Sequence, residues 1–353
     1  MKPVKLPENP RILITRLSHI GDCILTIPLA NAIRDAFPDA WIGWAIEAPG
    51  DQLIRECAAV NQIFKVPKSW LKKPFQSLSL RRMLRQFKFD LTIDPQSLTK
   101  SSGIARLAGA RWRLGLDRPL GRELAPFLNN VRCQVESRHV VDRTLEMLKT
   151  LGISDYRARF DLPVPARSQE IAARIQADVA DSGKMVIINP GAGWKSRQWC
   201  NKRFGEVAAH IANLDFIPLV TWFGAEEEQM ADEIVKASRG KAVKAPATRL
   251  WELGALIEQS HFYIGCDTGP THLAAALSRP CITLFGTTEP EVSGPYEPDP
   301  ENPMHIRIQS YYQSGSSRTR RKAENDAMMQ ISAAEVCEAV DEMASRVASR
   351  SAA

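Results

Sequence analysis

Four polar turns hold the residues of this chain whose types and spacing suit chemistry. The first is Ser18-His19-Ile20-Gly21-Asp22. A carboxylate after a glycine at the head of a helix can cap that helix, and it can equally take a proton from a sugar hydroxyl. His19 is of the right type for the same task. The second turn, Asp94-Pro95-Gln96, carries another carboxylate and an amide. The third, Asn189-Pro-Gly-Ala-Gly193-Trp-Lys195-Ser-Arg197, sets Gly191, Ala192 and Gly193 beside two cations. Glycines let a backbone approach a phosphate closely, and Lys195 or Arg197 can neutralise its charge. Neither the spacing of a Walker A loop nor GxGxxG is present. The fourth, Cys266-Asp267-Thr268-Gly269-Pro270, opens an Ala/Leu-rich helical pattern. Asp267 or Thr268 can cap that helix and Pro270 suits its first position, while the free amides and dipole of the first turn form an anion site. His272 can donate to the same anion or cover the helix end. Each turn also has a plain reading as a strand-to-helix connection.

The elements that position these turns follow from apolar patterning. Strands are read at 11–15, 41–47, 60–66, 89–94, 185–189, 216–223, 262–266 and 281–285. Helical spacing is read at 23–37, 51–57, 75–88, up to 108, and at 139–151, 168–180, 202–213, 225–237, 249–258, 270–278 and 332–347. Alternation of this kind implies α/β architecture, with mostly parallel sheets covered on both faces and ligands outside the carboxyl ends of the strands. A proline-rich stretch at 160–167 breaks the pattern and reads as a linker. The expected division is 1–165, 166–330, and a C-terminal helical segment 331–353 that can pack back on the first domain. Two doubly wound domains facing across a cleft are the expectation. Residues 286–305 read as loop, and 318–322 as an exposed basic run.

At 353 residues the chain exceeds what one hydrophobic core usually serves, which agrees with two domains. Its 44% hydrophobic and 24% charged residues are those of a soluble globular protein. Residues 1–10 are polar and broken by proline, and neither a secretory signal nor a membrane span is read. Seven cysteines lie scattered without a CxxC pair, which argues against a metal site or disulfide framework and fits a reduced, cytoplasmic compartment. Charge is uneven: residues 1–165 hold a net of about +10 and the remainder about −4. Much of the excess is Lys65, Lys68, Lys72, Lys73, Arg81, Arg82, Arg85 and Lys88. A solvated helix face accounts for any one of these, and the set suits a polyanion: nucleic acid, anionic headgroups or a phosphorylated substrate. Interleaved Trp70, Phe75, Phe87 and Phe89 suit a membrane surface, and no nucleic-acid module is recognisable.

Several segments in one order resemble glycosyltransferase family 9, the ADP-heptose:lipopolysaccharide heptosyltransferases. They are RILITRLSHIGDCILTIPLANAIRDAFPDA, FDLTIDPQSLTKSSGIARLAGARWRLG, His139-Val-Val-Asp-Arg143, NPGAGWKSRQW, Gly224-Ala-Glu-Glu-Glu228 and GCDTGPTHLAAALSRPCITLFGTTEP, which together cover nearly the whole chain. The resemblance implies a GT-B fold, acceptor bound by the first Rossmann-like domain and nucleotide sugar by the second. It implies an inverting transfer of heptose from ADP-heptose to the inner core of lipopolysaccharide, with no metal and no cofactor, the ADP-sugar being a substrate. Asp22 would be the general base. Asp267, Thr268 and Gly269 would hold the donor, with His272 nearby and Glu228 on the nucleotide ribose. The cation that steadies the leaving diphosphate is commonly Lys in relatives. Aligned from Trp199, that position is Arg197 here, with Lys195 two residues upstream, and either can carry the charge. Ser18, His19, Gly21, Asp94 and Gln96 would face the acceptor, and Lys72, Lys73, Arg81 and Arg82 its phosphorylated core. The implied partners are the donor, that acceptor and an anionic membrane surface, without nucleic acid. The implied location is cytoplasmic, peripheral to the inner membrane of a Gram-negative-type bacterium. Residues 311–321 depart from the family by lacking cysteines, which bears on the acceptor subtype. Three alternatives stand beside this reading. One is a transferase of the same family using another nucleotide sugar or acceptor. Another is a catalytically silent nucleotide- or phosphoglycan-binding protein. The third is a metabolic enzyme of the same two-domain shape, such as a nucleotide-sugar epimerase.

Overall fold

The computed structural model describes residues 4–179, 184–299 and 301–352, so the end of the helix expected at 168–180 lies outside the described residues. The chain divides into two compact units, Met1–Pro163 and Val164–Ala353, close to the proline-rich break.

The first unit holds β1 (Arg11–Thr15), β2 (Trp41–Ile46), β3 (Gln62–Lys65), β4 (Leu91–Asp94), β5 (Trp112–Leu116) and β6 (Val131–Cys133). They form one parallel sheet in the order β3-β2-β1-β4-β5-β6, with Ile12 opposite both Ile42 and Leu91. β1 is covered on both faces, which is why it reads as an apolar run, and β4 is buried throughout even at Thr92 and Asp94. β5 and β6 escaped the pattern because one mixes polar and apolar residues and the other is three residues long. The helix expected over 23–37 is two, Ile20–Ile24 and Ile27–Ala36, the second with Pro28 in its first turn. Asp22 therefore lies inside a helical turn, and the N-cap position belongs to His19.

The second unit holds β7 (Met185–Asn189), β8 (Ile217–Val220), β9 (Val243–Lys244), β10 (Phe262–Cys266), β11 (Cys281–Leu284) and β12 (Ile306–Ile308). Their order is β12-β11-β10-β7-β8-β9, again parallel throughout. Counted from the first strand of each unit, both sheets follow one doubly wound order, 3-2-1-4-5-6. The order reverses between β1 and β4 in one unit and between β7 and β10 in the other, and ligands gather outside such switch points.

The C-terminal segment is not a separate piece. Its helix, Ala333–Ala352, packs on the Asn201–Asn213 helix and on β11 and β12. Val336, Val340 and Met343 are buried in the core of the second unit, which is the apolar stripe that makes the helix part of it. The 286–305 loop contains a short helix, Pro290–Ser293. Among the described residues no helix is long and apolar enough to cross a membrane.

Candidate active site

The turns after β1 and β4 are tied to each other. Leu17 N donates to Gln96 Oε1 (2.9 Å), and Arg16 Nη1 reaches Pro95 O (3.4 Å). Arg16 is buried, with Trp44 Nε1 on its carbonyl (3.0 Å). From that position Arg16 Nη2 holds Asp22 Oδ1 at 2.7 Å, while the Asp22 side chain stays 40% exposed. Asp22 Oδ2 faces His19, 3.9 Å from Nδ1, and His19 adopts φ 65 to present its ring there. A non-glycine residue at that φ is held by its surroundings at some cost. The result is a part-exposed carboxylate fixed through one oxygen by Arg16, with the longer His19 contact at the other, a geometry that suits a general base. Ser18 is half-buried and Gly21 buried in the same turn.

Asp94 does not present its side chain to a ligand, and half-buried Gln96 has its amide oxygen already engaged. Asp94 is buried, and its carboxylate accepts from Ser97 N (2.9 Å), Ser102 Oγ and Asn129 Nδ2 (3.4 Å). Burial pushes its carboxyl above the usual carboxylate value, against the hydrogen bonds from Ser102, Ser101 and Ser97. Gln96 spends its amide oxygen on Leu17 N. Both hold the turns in place. Lys72 and Lys73 are exposed at the carboxyl edge, just before the Pro74–Arg85 helix. Arg81 and Arg82 are exposed too, but the helix carries Arg82 about 12 Å along its axis from Pro74, away from that edge.

In the second unit the turns after β7 and β10 meet through one guanidinium. Arg197 Nη1 donates to Asp267 O (2.9 Å) and lies 3.2 Å from Asp267 Oδ2. Asp267 Oδ1 is 3.3 Å from His272 Nε2, and Thr288 Oγ1 donates to Oδ2 at 2.6 Å. Burial alone would raise the Asp267 carboxyl; His272, Arg197 and Thr288 outweigh it and hold it below the usual value. With both oxygens taken and the side chain 4% exposed, Asp267 is an internal organiser and not itself a ligand for a diphosphate. Thr268 takes the N-cap position of the Gly269–Ala276 helix, whose first-turn amides and dipole favour an anion.

Of the two candidate cations, Arg197 is drawn in and Lys195 is not. Lys195 is 67% exposed and pairs with Glu324 at 2.8 Å. The Arg197 guanidinium lies 3.9 Å over the Trp194 ring, and Arg321 lies 4.9 Å over the same ring. The 318–322 run is thus only partly a solvated one. Arg320 is half-buried, donating to Thr287 O (2.7 Å) and accepting from Ser196 Oγ through its carbonyl (2.7 Å). The reason is that the Ser317–Lys322 helix packs against the 195–197 turn. Buried Arg197 Nε, Arg320 Nε and Thr287 Oγ1 have no hydrogen-bond partner among the described residues. Thr268 Oγ1 and His272 Nδ1 at the helix head are likewise unpartnered among these residues, so polar capacity left over around this N-terminus suits an anion's oxygens.

Gly191 serves a different neighbour from the one expected. A Cβ there would stand 2.2 Å from Glu227 Oε1, so the missing side chain makes room for Glu227, which also accepts from Phe223 N at 2.9 Å. Burial pushes the Glu227 carboxyl up. Gly193 has open space around it, and Ala192 O accepts from Gln198 Nε2 (3.4 Å). Glu228 lies at a cavity of about 480 Å³ with Trp222, Lys244, Ala245 and Pro246, and Lys244 Nζ pairs with it at 3.1 Å. Sequence reasoning missed Arg16, Thr287, Thr288, Glu227 and Arg320. Arg16 directly follows β1, and Thr287-Thr288 follow β11, so position after a strand was the available signal. Nothing local marks Glu227 or Arg320.

A family model described as Glycosyltransferase family 9 (heptosyltransferase) matches residues 77–323. The chain belongs to that family. It is a glycosyltransferase, and the two doubly wound units are the pair that GT-B proteins carry. Among curated family members, lipopolysaccharide heptosyltransferase 1 of Escherichia coli (strain K12) is 26% identical over 296 residues, spanning 81% of this chain and 91% of that protein. The solved structure of the E. coli heptosyltransferase WaaC with ADP is 25% identical, with a TM-score of 0.74 over 94% of this chain and 99% of that one. A glycosyltransferase family 9 structure from Veillonella parvula DSM 2008 shares the fold at a TM-score of 0.82 and 21% identity, covering 97% and 99% of the two chains.

Proposed function

We propose that this family 9 glycosyltransferase moves a heptose from ADP-heptose to the phosphorylated inner core of lipopolysaccharide, with inversion and without a metal. The observation that carries the donor half is Arg197 beside Asp267 at the head of the Gly269–Ala276 helix, with unsatisfied buried donors around it. The names of the similar heptosyltransferases, and the ADP bound in one of them, support the choice of donor and acceptor.

Inverting displacement needs a base on the acceptor side of the anomeric carbon and charge stabilisation on the departing side. Asp22, oriented by Arg16, is a group of the first kind. It takes the proton from the acceptor hydroxyl as that oxygen bonds to the anomeric carbon, while the bond to the diphosphate breaks. Arg197 and the first-turn amides near Gly269 are groups of the second kind and receive the charge that builds on the leaving ADP. Glu228 and its cavity take the nucleoside end, the carboxylate accepting from ribose hydroxyls once Lys244 gives way. Lys72 and Lys73 meet the acceptor's phosphates. The acceptor is amphiphilic, so the enzyme works in the cytoplasm at an anionic membrane surface, peripheral to the inner membrane.

The test is direct. Incubation with ADP-heptose and a truncated lipopolysaccharide acceptor should yield a product heavier by one heptose. Product with a UDP- or GDP-sugar and none with ADP-heptose would move the assignment to another donor. Retention of ADP without any product would point to a silent binding protein.

A further inference from the structure

Among the described residues of the first unit, exposed large hydrophobic side chains are confined to two connections. Leu71, Phe75 and Leu78 follow β3, and Leu124 and Phe127 follow β5, with Phe75 88% and Phe127 75% exposed. The aromatic residues interleaved in the basic span separate in the folded chain. Trp70 and Phe89 are buried, and Phe87 stacks on Trp41 at 4.9 Å, so Phe75 alone of that set projects into solvent.

Both connections are pinned to the same place. Trp70 packs on Gly103, where a Cβ would stand 2.9 Å from its ring, in the first half of the Thr99–Ala108 helix. Leu124 N donates to Thr99 Oγ1 (3.2 Å) and Arg122 N to Ser97 O (3.0 Å), at the start of that helix. The Pro74–Arg85 and Ala125–Leu128 helices flank it. The two apolar points therefore lie at the carboxyl edge of the sheet that also bears Asp22. Exposed cations stand at each: Lys68, Lys72 and Lys73 around the first, and Arg118 and Arg122 around the second, where Arg118 lies 5.9 Å over the Phe127 ring and the acids Asp117 and Glu123, the latter accepting from Thr99 N at 3.1 Å, are interspersed. No acidic residue occurs between Glu56 and Asp90.

We propose that this edge docks on an anionic phospholipid bilayer, Phe75 and Phe127 entering the headgroup boundary while the surrounding Lys and Arg hold lipid phosphates. The inference rests on the reading of an amphiphilic acceptor and names the surface that meets its membrane. A protein interface is favoured less by this pattern, because interface cores bring apolar residues together and exclude charge. Two small apolar groups, each tipped by one phenylalanine and bordered by Lys and Arg, suit a headgroup layer, where the aromatic tip is buried and a cation meets a phosphate.

The experiment is flotation of the full chain with vesicles, in the absence of donor and acceptor. Binding is expected to vesicles of equal parts phosphatidylcholine and phosphatidylglycerol, and to fall with salt and on phosphatidylcholine alone. Phe75→Ser with Phe127→Ser should weaken it about tenfold, whereas Phe223→Ser, an equally exposed phenylalanine of the second unit, should not. The double variant should keep its activity on a detergent-dispersed acceptor, which shows that it folds. Failure of the wild-type chain to bind anionic vesicles overturns the proposal. So does undiminished binding by the double variant, or a dimer that the double variant dissolves. Vesicle binding by a chain that transfers no heptose would count against the proposed reaction and leave the surface standing.

Discussion

Arg197 grips Asp267 twice, through the main-chain carbonyl at 2.9 Å and the carboxylate at 3.2 Å. One side chain thus joins the turn after β7 to the turn after β10, and the strand order brings those two turns together at the switch point. The pair mirrors Arg16 and Asp22 in the first unit, where a buried guanidinium likewise aims a carboxylate. In the first unit the exposed partner is the acid, and in the second the partner left more open is the cation. That difference suits one to accept a proton and the other to meet an anion.

Asp22→Asn is expected to reduce transfer at least ~10³-fold while leaving ADP affinity close to unchanged, since the amide keeps the shape and cannot take a proton. Equal turnover by the variant in a coupled ADP-release assay would remove Asp22 from the mechanism.

Arg197→Ala should lower kcat by about 10²- to 10³-fold, the cost of losing one preorganised charge partner for the leaving group. Lys195→Ala, at an exposed cation paired with Glu324, should change kcat less than Arg197→Ala does. The reverse ranking in steady-state kinetics would reassign the role to Lys195.

Asp94→Ala is expected to act on stability. It leaves Ser97 N and Ser102 Oγ without their buried acceptor, while Asn129 Nδ2 keeps Ser102 Oγ, a loss of about 2–3 kcal/mol. Urea unfolding should show a lowered midpoint with KM for the acceptor nearly unchanged. A KM effect at full stability would restore the residue to the acceptor site.

The Asp267 carboxyl is held below its ordinary value of 3.8, so its ionised form is favoured by folding. Its contribution is complete above that value and is lost as pH falls through the depressed one. The stability difference between wild type and Asp267→Asn should therefore narrow as the pH is lowered below 3.8. Chemical denaturation at stepped pH measures it, and a gap that widens on acidification contradicts the assignment.

Transfer is expected to persist in EDTA, because Arg197 and the helix N-terminus carry the leaving-group charge. Loss of turnover in chelator, restored by added divalent cation, would replace that account with a metal-assisted one.

The legible part of the fold was its buried part. β1, β7 and β10 were read at the bounds they occupy, because a parallel strand covered on both faces leaves an unbroken apolar run. β5, β6, β9 and β12 were missed, being short or mixed in character at or beside sheet edges. Within the site, Asp22 and Arg197 were visible from type and position. The internal duty of Asp94 and Asp267 was not, because a carboxylate's partners come from distant segments: Asn129 for one, Thr288 for the other.

By itself the sequence determined an inventory: two series of α/β units, four chemically loaded turns, and the motifs that mark the family. Hydrophobic period and turn chemistry are local properties, so they can be read without knowing which strand neighbours which. The tertiary structure alone decided that the four turns are those bordering the two points where strand order reverses, β1 beside β4 and β7 beside β10. Pairing across 70 or more residues sets that order, and it is what turned Arg16 towards Asp22 and Arg197 towards Asp267.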